Sequence, residues 1–440
     1  MQRRLRNLVR RHNLSANITA GLGSVFIALA DKYLKNQGRL AFVIPRALLS
    51  GVAWKKTRQL LEKKYHLEWL IVSHEPGHWN FSENTNLSEV LVIARKREGT
   101  DEEERVNCVN LWKQPRNAVE ALSVARALLK SHLPDMQKGP GTLEIVPNEE
   151  KLGEALSVPW IWLRGHLWSF PCAFAQTELV RALFHLLEGK LYLPGKGLFP
   201  KRGRIPLCTL QDLGELGFDR RDIHDGFMLA RSPTSYPAFW GHDAEAVLSM
   251  AQSPNAYLNP RVRAARGRPL RCASDLWQRA GQILIAERLR LNTRRLAAVF
   301  VEQKVLSNVW WPLATGIAEE KQKALVLWLN STPGLLILLG HREETEGAFV
   351  GFKKPVLERM PVLDVRNISK HVLQTLVQAF DQLANESLLS FPEMDHDAIR
   401  AAIDEAVADA LGLLDFGILR ELLAREPIVC LNLDLLIKNK

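Results

Sequence analysis

The sequence predicts an α/β protein in three parts: a portion of a doubly wound sheet, a mixed α+β domain, and a helical tail. Three observations carry that reading. Continuous apolar runs of strand length alternate with helical periodicity up to about residue 96, as in a sheet covered on both faces. Between Trp160 and Asp364 the apolar runs shorten, turn residues multiply and Arg and Trp accumulate. From Ser369 to Glu426 apolar residues return to helical spacing.

The first helix lies between Ser24 and Leu34, where Val25, Phe26, Leu29, Ala30 and Leu34 recur on helical spacing before the stop Asn36-Gln37-Gly38. Leu40 to Ile44 reads as a buried strand of the parallel-sheet kind, closed by Pro45. Trp54 to Tyr65 is a basic amphipathic helix and Leu67 to Val72 the next buried strand. Leu87 to Ala94 is a third strand, reached through a loop carrying Asn80, Asn84 and Asn86. Strand, helix, strand, loop, strand is the closing half of a doubly wound sheet. The acidic run from Asp101 to Glu104 then breaks the pattern. Ala118 to Leu129 reads as a connecting helix, and Pro and Gly from Leu133 to Gly141 as a linker. In the tail, VLQTLVQAFDQLANESLL, AIRAAIDEAVADALGLL and FGILRELLA each predict a helix. Expected boundaries are 1–115, 116–150, 151–366 and 367–440.

With 440 residues, 47% of them hydrophobic, the chain has ample material for a core. Its 58 Lys+Arg against 48 Asp+Glu give a net charge of +10, which favours a polyanionic partner or an acidic membrane surface. Cys108, Cys172, Cys208, Cys272 and Cys430 stand singly, away from histidines at ligand spacing, so neither a zinc site nor a disulfide framework is expected. No window reaches the roughly 18 apolar residues of a membrane span. LVLWLNSTPGLLILLG is interrupted from Asn330 to Gly334. The expectation is a cytoplasmic protein with no membrane partner and no metal.

Two other chemistries find no footing. Pro134, Asp135 and Glu144 echo a nuclease triplet, but Val146 stands where the lysine belongs. GKGLFPKRGR, Gly195 to Arg204, is basic and glycine-rich without the spacing of a nucleotide-binding loop.

The charge is concentrated. From Arg261 to Lys304, eleven basic residues (Arg261, Arg263, Arg266, Arg268, Arg271, Arg279, Arg288, Arg290, Arg294, Arg295 and Lys304) face only Asp275, Glu287 and Glu302. Arginine's planar fork suits phosphate and guanine edges, so double-stranded DNA is the expected partner; a solvated basic face is the ordinary alternative. Six phosphate contacts would give a log–log salt slope of about −5. Arg3, Arg4, Arg6, Arg10 and Arg11 read as a frayed basic terminus.

LADKYLKNQGRLAFVIPRALLSG, followed by NFSENTNLSEVLVIARK, resembles the C-terminal half of the catalytic domain of adenine-N6 DNA methyltransferases, above all the large forms of fused restriction and modification systems. The resemblance implies a partial Rossmann-like methyltransferase sheet, then a target-recognition domain containing GQILIAERLRLNTRRLAAVF, LWLNSTPGLLILLG and FKKPVLERMPV, then a helical end containing IRAAIDEAVADALGL. It implies that Phe81 stacks on a flipped target adenine, with Trp79 a neighbouring candidate, which would return about 1–3 kcal/mol of the unstacking cost. A core aromatic at a strand entrance is the simpler account of Phe81. Phe26 falls where such proteins often place an apolar contact to the adenine of S-adenosylmethionine; packing in the helix core is the simpler account and the favoured one. Gly51, Trp54 and Arg58 lie where the pocket mouth would form.

The chain departs from the family in two motifs. It has no Asp-Pro-x-x-Gly-x-Gly type of cofactor loop and no Asn-Pro-Pro-Tyr/Phe turn; SPNAY at Ser253 and NPR at Asn259 are echoes in another domain. No catalytic set is complete. The expectation is a chain that binds DNA and completes a base pocket, using S-adenosylmethionine only when an N-terminal half supplies both motifs. The alternative is a non-catalytic DNA-binding specificity subunit or scaffold of a restriction or phage-defence complex.

Overall fold

The computed structural model describes residues 2–83, 85–97, 104–137, 142–146, 150–241, 246–346 and 349–434. Asn84, the acidic positions 101–103 and the linker positions 138–141 lie outside that set. The chain forms two compact units. The first comprises Met1–Phe184, Glu343–Ala348 and Arg425–Lys440; the second His185–Arg342 and Phe349–Ala424. The expected boundary at 150/151 falls inside the first unit, because Gly153–Pro159 is a strand of its sheet.

The first unit contains α1 (Gln2–Arg11), α2 (Leu22–Tyr33), β1 (Arg39–Pro45), α3 (Lys55–Lys64), β2 (Tyr65–Ser73), β3 (Glu89–Lys96), β4 (Arg105–Leu111), α4 (Ala118–Lys130), β5 (Leu143–Ile145), β6 (Gly153–Pro159) and α5 (Trp160–Arg164). The chain leaves it within α6 (Thr177–Leu187). Its sheet runs β1-β3-β2-β4-β6-β5. β3 is antiparallel to both its neighbours, β6 to both of its own, and only β2 and β4 pair in parallel. The parallel character expected of the first two strands is therefore corrected: β1 and β2 run the same way with a reversed strand between them. The cause is the β2–β3 connection, which carries no crossover helix and so returns the chain antiparallel.

Both faces of the sheet are covered. Val109 and Leu111 of β4 pack with Val124 and Leu128 of α4 and with Ile145, while Asn110 donates from Nδ2 to the Pro171 carbonyl at 3.1 Å and Cys108 meets Cys172. Helices α2 and α3 pack on β1 and β2; the Ser24 and Thr57 hydroxyls bond at 2.8 Å where the two helices meet. Five arginines expected to fray instead form α1, with Leu5, Leu8 and Val9 half-buried.

The second unit contains β7 (Leu191–Leu193), β8 (Gly197–Phe199), β9 (Leu207–Thr209), β10 (Glu215–Leu216), α7 (Arg220–Gly226), β11 (Phe227–Leu229), β12 (Pro237–Phe239), β13 (Ala251–Gln252), β14 (Ala256–Pro260), α8 (Ala273–Trp277), β15 (Gly281–Ala286), β16 (Arg288–Arg290), β17 (Ala298–Ser307) and β18 (Trp310–Ala314). Helices α9 (Glu319–Asn330), α10 (Thr332–Gly340), α11 (Lys354–Leu357), α12 (Lys370–Leu383), α13 (Ala398–Leu411) and α14 (Gly417–Ala424) follow. Its largest sheet runs β10-β18-β15-β17-β12-β14-β11, with β13 also on β17. The mixed α+β expectation stands. The tail helices are not a separate domain: α12 packs on α9 and α13.

Helices α9 and α10 bend by 72° at Ser331. A Cβ on Gly334 would lie 2.0 Å from the Trp328 carbonyl oxygen, so only glycine permits this turn. Asn330 fastens α9 to β17: it accepts from Ala297 N–H at 2.9 Å and donates to the Ala298 carbonyl at 2.8 Å. Every residue of α10 is buried. No single described helix is long and apolar enough to cross a membrane.

Candidate nucleic-acid interface

In the first unit, β1, β2 and β4 share a direction and end at the same edge of the sheet, the place where open α/β sheets receive ligands. Two loops meet there, since Arg46 N–H, just past β1, donates to the Ser88 carbonyl at 2.8 Å. The shorter loop is stitched by Arg58, whose Nη1 donates to the carbonyls of Leu48 at 2.7 Å and Gly51 at 2.9 Å. Trp54 is buried beneath it. Arg46 is itself buried and ion-paired with Glu344 at 2.5 Å.

The longer loop, between β2 and β3, carries the expected base-stacking residues. The Glu89 carboxylate accepts from the N–H groups of both Phe81 and Ser82 at 2.8 Å, while Glu89 N–H donates to the Trp79 carbonyl at 3.0 Å. Gln114 donates from Nε2 to the carbonyls of His78 at 2.8 Å and Asn80 at 2.6 Å. Its own N–H reaches Glu75 Oε2 at 2.8 Å. Residues 78–82 of this loop are therefore held by side chains that lie outside it. Phe81 is half-buried against the cluster built from β4, β6 and α4. Trp79 is only 6% exposed. It is a core aromatic with almost no ring surface to offer a base, which corrects its standing as a second candidate. Phe26 is 53% exposed on α2, where Leu22 and Tyr33 are exposed too.

The arginine run of the second unit divides in two. Arg261, Arg263, Arg266, Arg268 and Arg271 lie in the loop joining β14 to α8, and this loop wraps the end of α7. Arg261 Nε donates to the His224 and Phe227 carbonyls at 2.6 and 3.0 Å, capping a helix terminus that attracts cations. Arg268 holds Asp225 through both carboxylate oxygens at 2.5 and 2.6 Å; this bond keeps the Asp225 carboxyl below the usual carboxylate range. Arg271 pairs with Asp222 at 3.2 Å. Burial, with Arg220 and Arg261 close by, pushes the His224 imidazole below its ordinary range and so favours its neutral form.

What remains is a loop tip. Arg263 and Arg266 are exposed and have no acidic partner among the described residues, and Val262 beside them is 89% exposed. The second group lies on and after β16. Arg290 is exposed there, Arg288 stands 3.7 Å from Glu287, and Arg295 Nη1 donates to the Leu388 carbonyl at 2.7 Å. Arg294 is half-buried. The arginines of this run thus do not act alike: Arg261, Arg268, Arg271 and Arg295 hold the fold, while Arg263, Arg266 and Arg290 are exposed with no acidic partner among the described residues. If those three meet phosphates, Arg263→Gln, Arg266→Gln and Arg290→Gln together lower the log–log salt slope of duplex binding by about 3, read by anisotropy across a salt series. Arg268→Gln instead lowers the unfolding midpoint.

Sequence reasoning missed Glu89 and Gln114, the two side chains that position Phe81. An acid opening a buried strand was the available signal, since such a group needs partners. Among the described residues no three His, Cys, Asp or Glu side chains are gathered so as to hold a metal ion.

No family model matches the chain, and no curated protein sequence matches it. A solved structure of the type IIG restriction endonuclease BpuSI aligns at 12% identity with a TM-score of 0.36, covering 92% of this chain and 48% of the other. The chain spans about half the length of that structure. At this level of similarity the alignment fixes neither fold nor function.

Proposed function

We propose that this chain is the base-holding and DNA-reading portion of an adenine-N6 DNA methyltransferase of the restriction-modification type. The observation that carries the proposal is the Phe81 loop, clamped by Glu89 and Gln114 at the edge where β1, β2 and β4 end. An aromatic residue held by its backbone and only half-buried suits a base swung out of a duplex. The motif resemblance around residues 24–94 gives that aromatic its assignment. Arg263, Arg266 and Arg290 serve as phosphate contacts, and Phe26 as an apolar contact to S-adenosylmethionine.

These 440 residues contain neither the cofactor loop nor the Asn-Pro-Pro-Tyr/Phe turn. Methyl transfer therefore needs a polypeptide segment that carries both. β1 is the natural place for it. Among the described residues no strand pairs with its outer edge, Val43 on β1 is 40% exposed, and the Leu22, Phe26 and Tyr33 stripe is exposed on α2. An open strand edge beside an apolar stripe is a template for an added strand.

The test mixes the full chain with labelled S-adenosylmethionine and adenine-bearing duplex, with and without a polypeptide carrying the two motifs. Transfer in the mixture alone supports the proposal. Val43→Lys, which places a charge on the edge, abolishes that transfer while leaving duplex binding intact. A second reading, a DNA-binding specificity subunit or scaffold, draws on the motif absence; duplex retention with no transfer in any mixture selects it.

A further inference from the structure

A cavity of about 650 Å³ opens in the first unit between the end of α1 and helices α2 and α3. Its polar wall is cationic: Lys32, Lys63, Lys64 and Lys96 surround a single acid, Asp31, with His12 at the rim of the same wall. Ala28 and Leu60 supply apolar wall.

Asp31 does not cancel this charge. It is 8% exposed and engaged by Lys64 Nζ at 2.6 Å, Lys96 Nζ at 3.4 Å and the Tyr65 hydroxyl at 3.1 Å. Burial alone would raise its pKa, but these partners outweigh burial and hold the carboxyl below its usual range. Lys96 is further tied to the carbonyls of Asp31 at 2.6 Å and Leu34 at 3.0 Å. Lys64 and Lys96 are thus structural. Lys32 and Lys63 are exposed and have no acidic partner among the described residues.

Helix α1 extends the same surface. It delivers His12 to the cavity, and the two residues before it, Arg10 and Arg11, are exposed without an ion pair among the described residues; Arg3, Arg4 and Arg6 are too. The helix dipole accounts for Arg10, Arg11, Lys32, Lys63 and Lys64 in the last turns of α1, α2 and α3, but not for the arginines at the start of α1 or for the gathering of three helix ends around one cavity. A concave wall of one sign focuses its field on the space it encloses and raises the local concentration of anions. A membrane is the less favoured anion source, because Leu5, Leu8 and Val9 of α1 are half-buried and leave little apolar surface to insert.

We propose that this cavity and the arginine face of α1 form a second polyanion site, one that takes the phosphates of a nucleic-acid backbone independently of the arginine loop in the second unit. Arg10 and Arg11 grip along the strand, and Lys32 and Lys63 receive a phosphate at the cavity mouth. The site does not depend on the methyltransferase reading.

The test compares the full wild-type chain with Arg10→Gln/Arg11→Gln/Lys32→Gln/Lys63→Gln for binding a fluorescein-labelled duplex across a salt series. Inorganic pyrophosphate and phosphatidylserine vesicles are the parallel probes. The expected result is a log–log slope lower by about 3 to 4, additive with the loss from the Arg263, Arg266 and Arg290 variant. In wild type, duplex also protects Lys32 and Lys63 from acetylation mapped by mass spectrometry, a readout that needs no variant to fold. An unchanged slope with no protection overturns the proposal. So does a loss confined to pyrophosphate or to vesicles, which would assign the surface to a free phosphate or a lipid.

Discussion

Asp404→Ala should destabilise the second unit by about 3–5 kcal/mol, the range seen when one partner of a buried ion pair is removed. Asp404 is fully buried on α13. One oxygen accepts Thr332 N–H at 2.7 Å; the other accepts the Thr332 hydroxyl at 2.6 Å and Arg420 Nη1 at 2.7 Å. It thus caps the start of α10 and neutralises α14 with one group. A second guanidinium, Arg400, is fully buried nearby with Asp397 at 4.0 Å, donating to the carbonyls of Asn330 at 2.9 Å and Arg295 at 2.5 Å. Burial brings its pKa down to about 10, against the pull of Asp397 and Asp404. Alanine at 404 leaves two buried cations facing one acid and takes the acceptor from both the N–H and the hydroxyl of Thr332, while Ser331 still caps α10. Asparagine keeps an acceptor for Thr332 and should lose less. Urea unfolding reads both; a loss below about 1 kcal/mol for the alanine variant would refute the account.

Glu89→Ala should separate the two halves of the proposed function. It removes the acceptor of two backbone N–H groups at once, which costs about 2 kcal/mol or more. Its larger effect is on placement, because nothing else in the described structure accepts Phe81 N–H. A displacement of the order of an ångström can cost about 10²-fold in a positioned reaction, so complemented methyl transfer should fall by that factor. Duplex affinity and its salt slope should stay as in wild type, since the arginines are untouched. Glu89→Gln, which keeps an oxygen, should recover most of the transfer. If both variants transfer normally, the Phe81 loop has no role in holding a base.

The elements with clean periodicity were legible in the sequence. Helices α2, α3, α4 and α14 and strands β1, β2 and β3 lie within two residues of where their apolar spacing placed them, while α12 and α13 begin there but stop early, at Leu383 and Leu411 instead of Leu389 and Leu414. β4 was not legible, because RVNCVNL spends two of its positions on asparagine. Asn110 is buried for a reason that no local pattern encodes: its side chain bonds Pro171 and lies 3.2 Å from His74 Nε2. Strand pairing was equally hidden, since direction follows from the connection and not from composition. The arginine run looked uniform as a string. Folded, it separates into cations that grip α7 or the Leu388 carbonyl and cations that face solvent, and only the carbonyls and carboxylates brought near each one decide which. Phe81 was singled out by resemblance alone, whereas Glu89 and Gln114, whose bonds hold its loop, carried no motif to mark them.

The first unit is discontinuous, and that sets the order in which the molecule can be made. Glu426 accepts the N–H groups of Ala175 and Gln176, each at 3.0 Å, and Glu344 pairs with Arg46. A ribosome emits Arg46 and Ala175 long before either partner. The inserted unit has all its residues in hand by Ala424 and can close first, while Ala175 and Gln176 wait, partly unsealed, for Glu426.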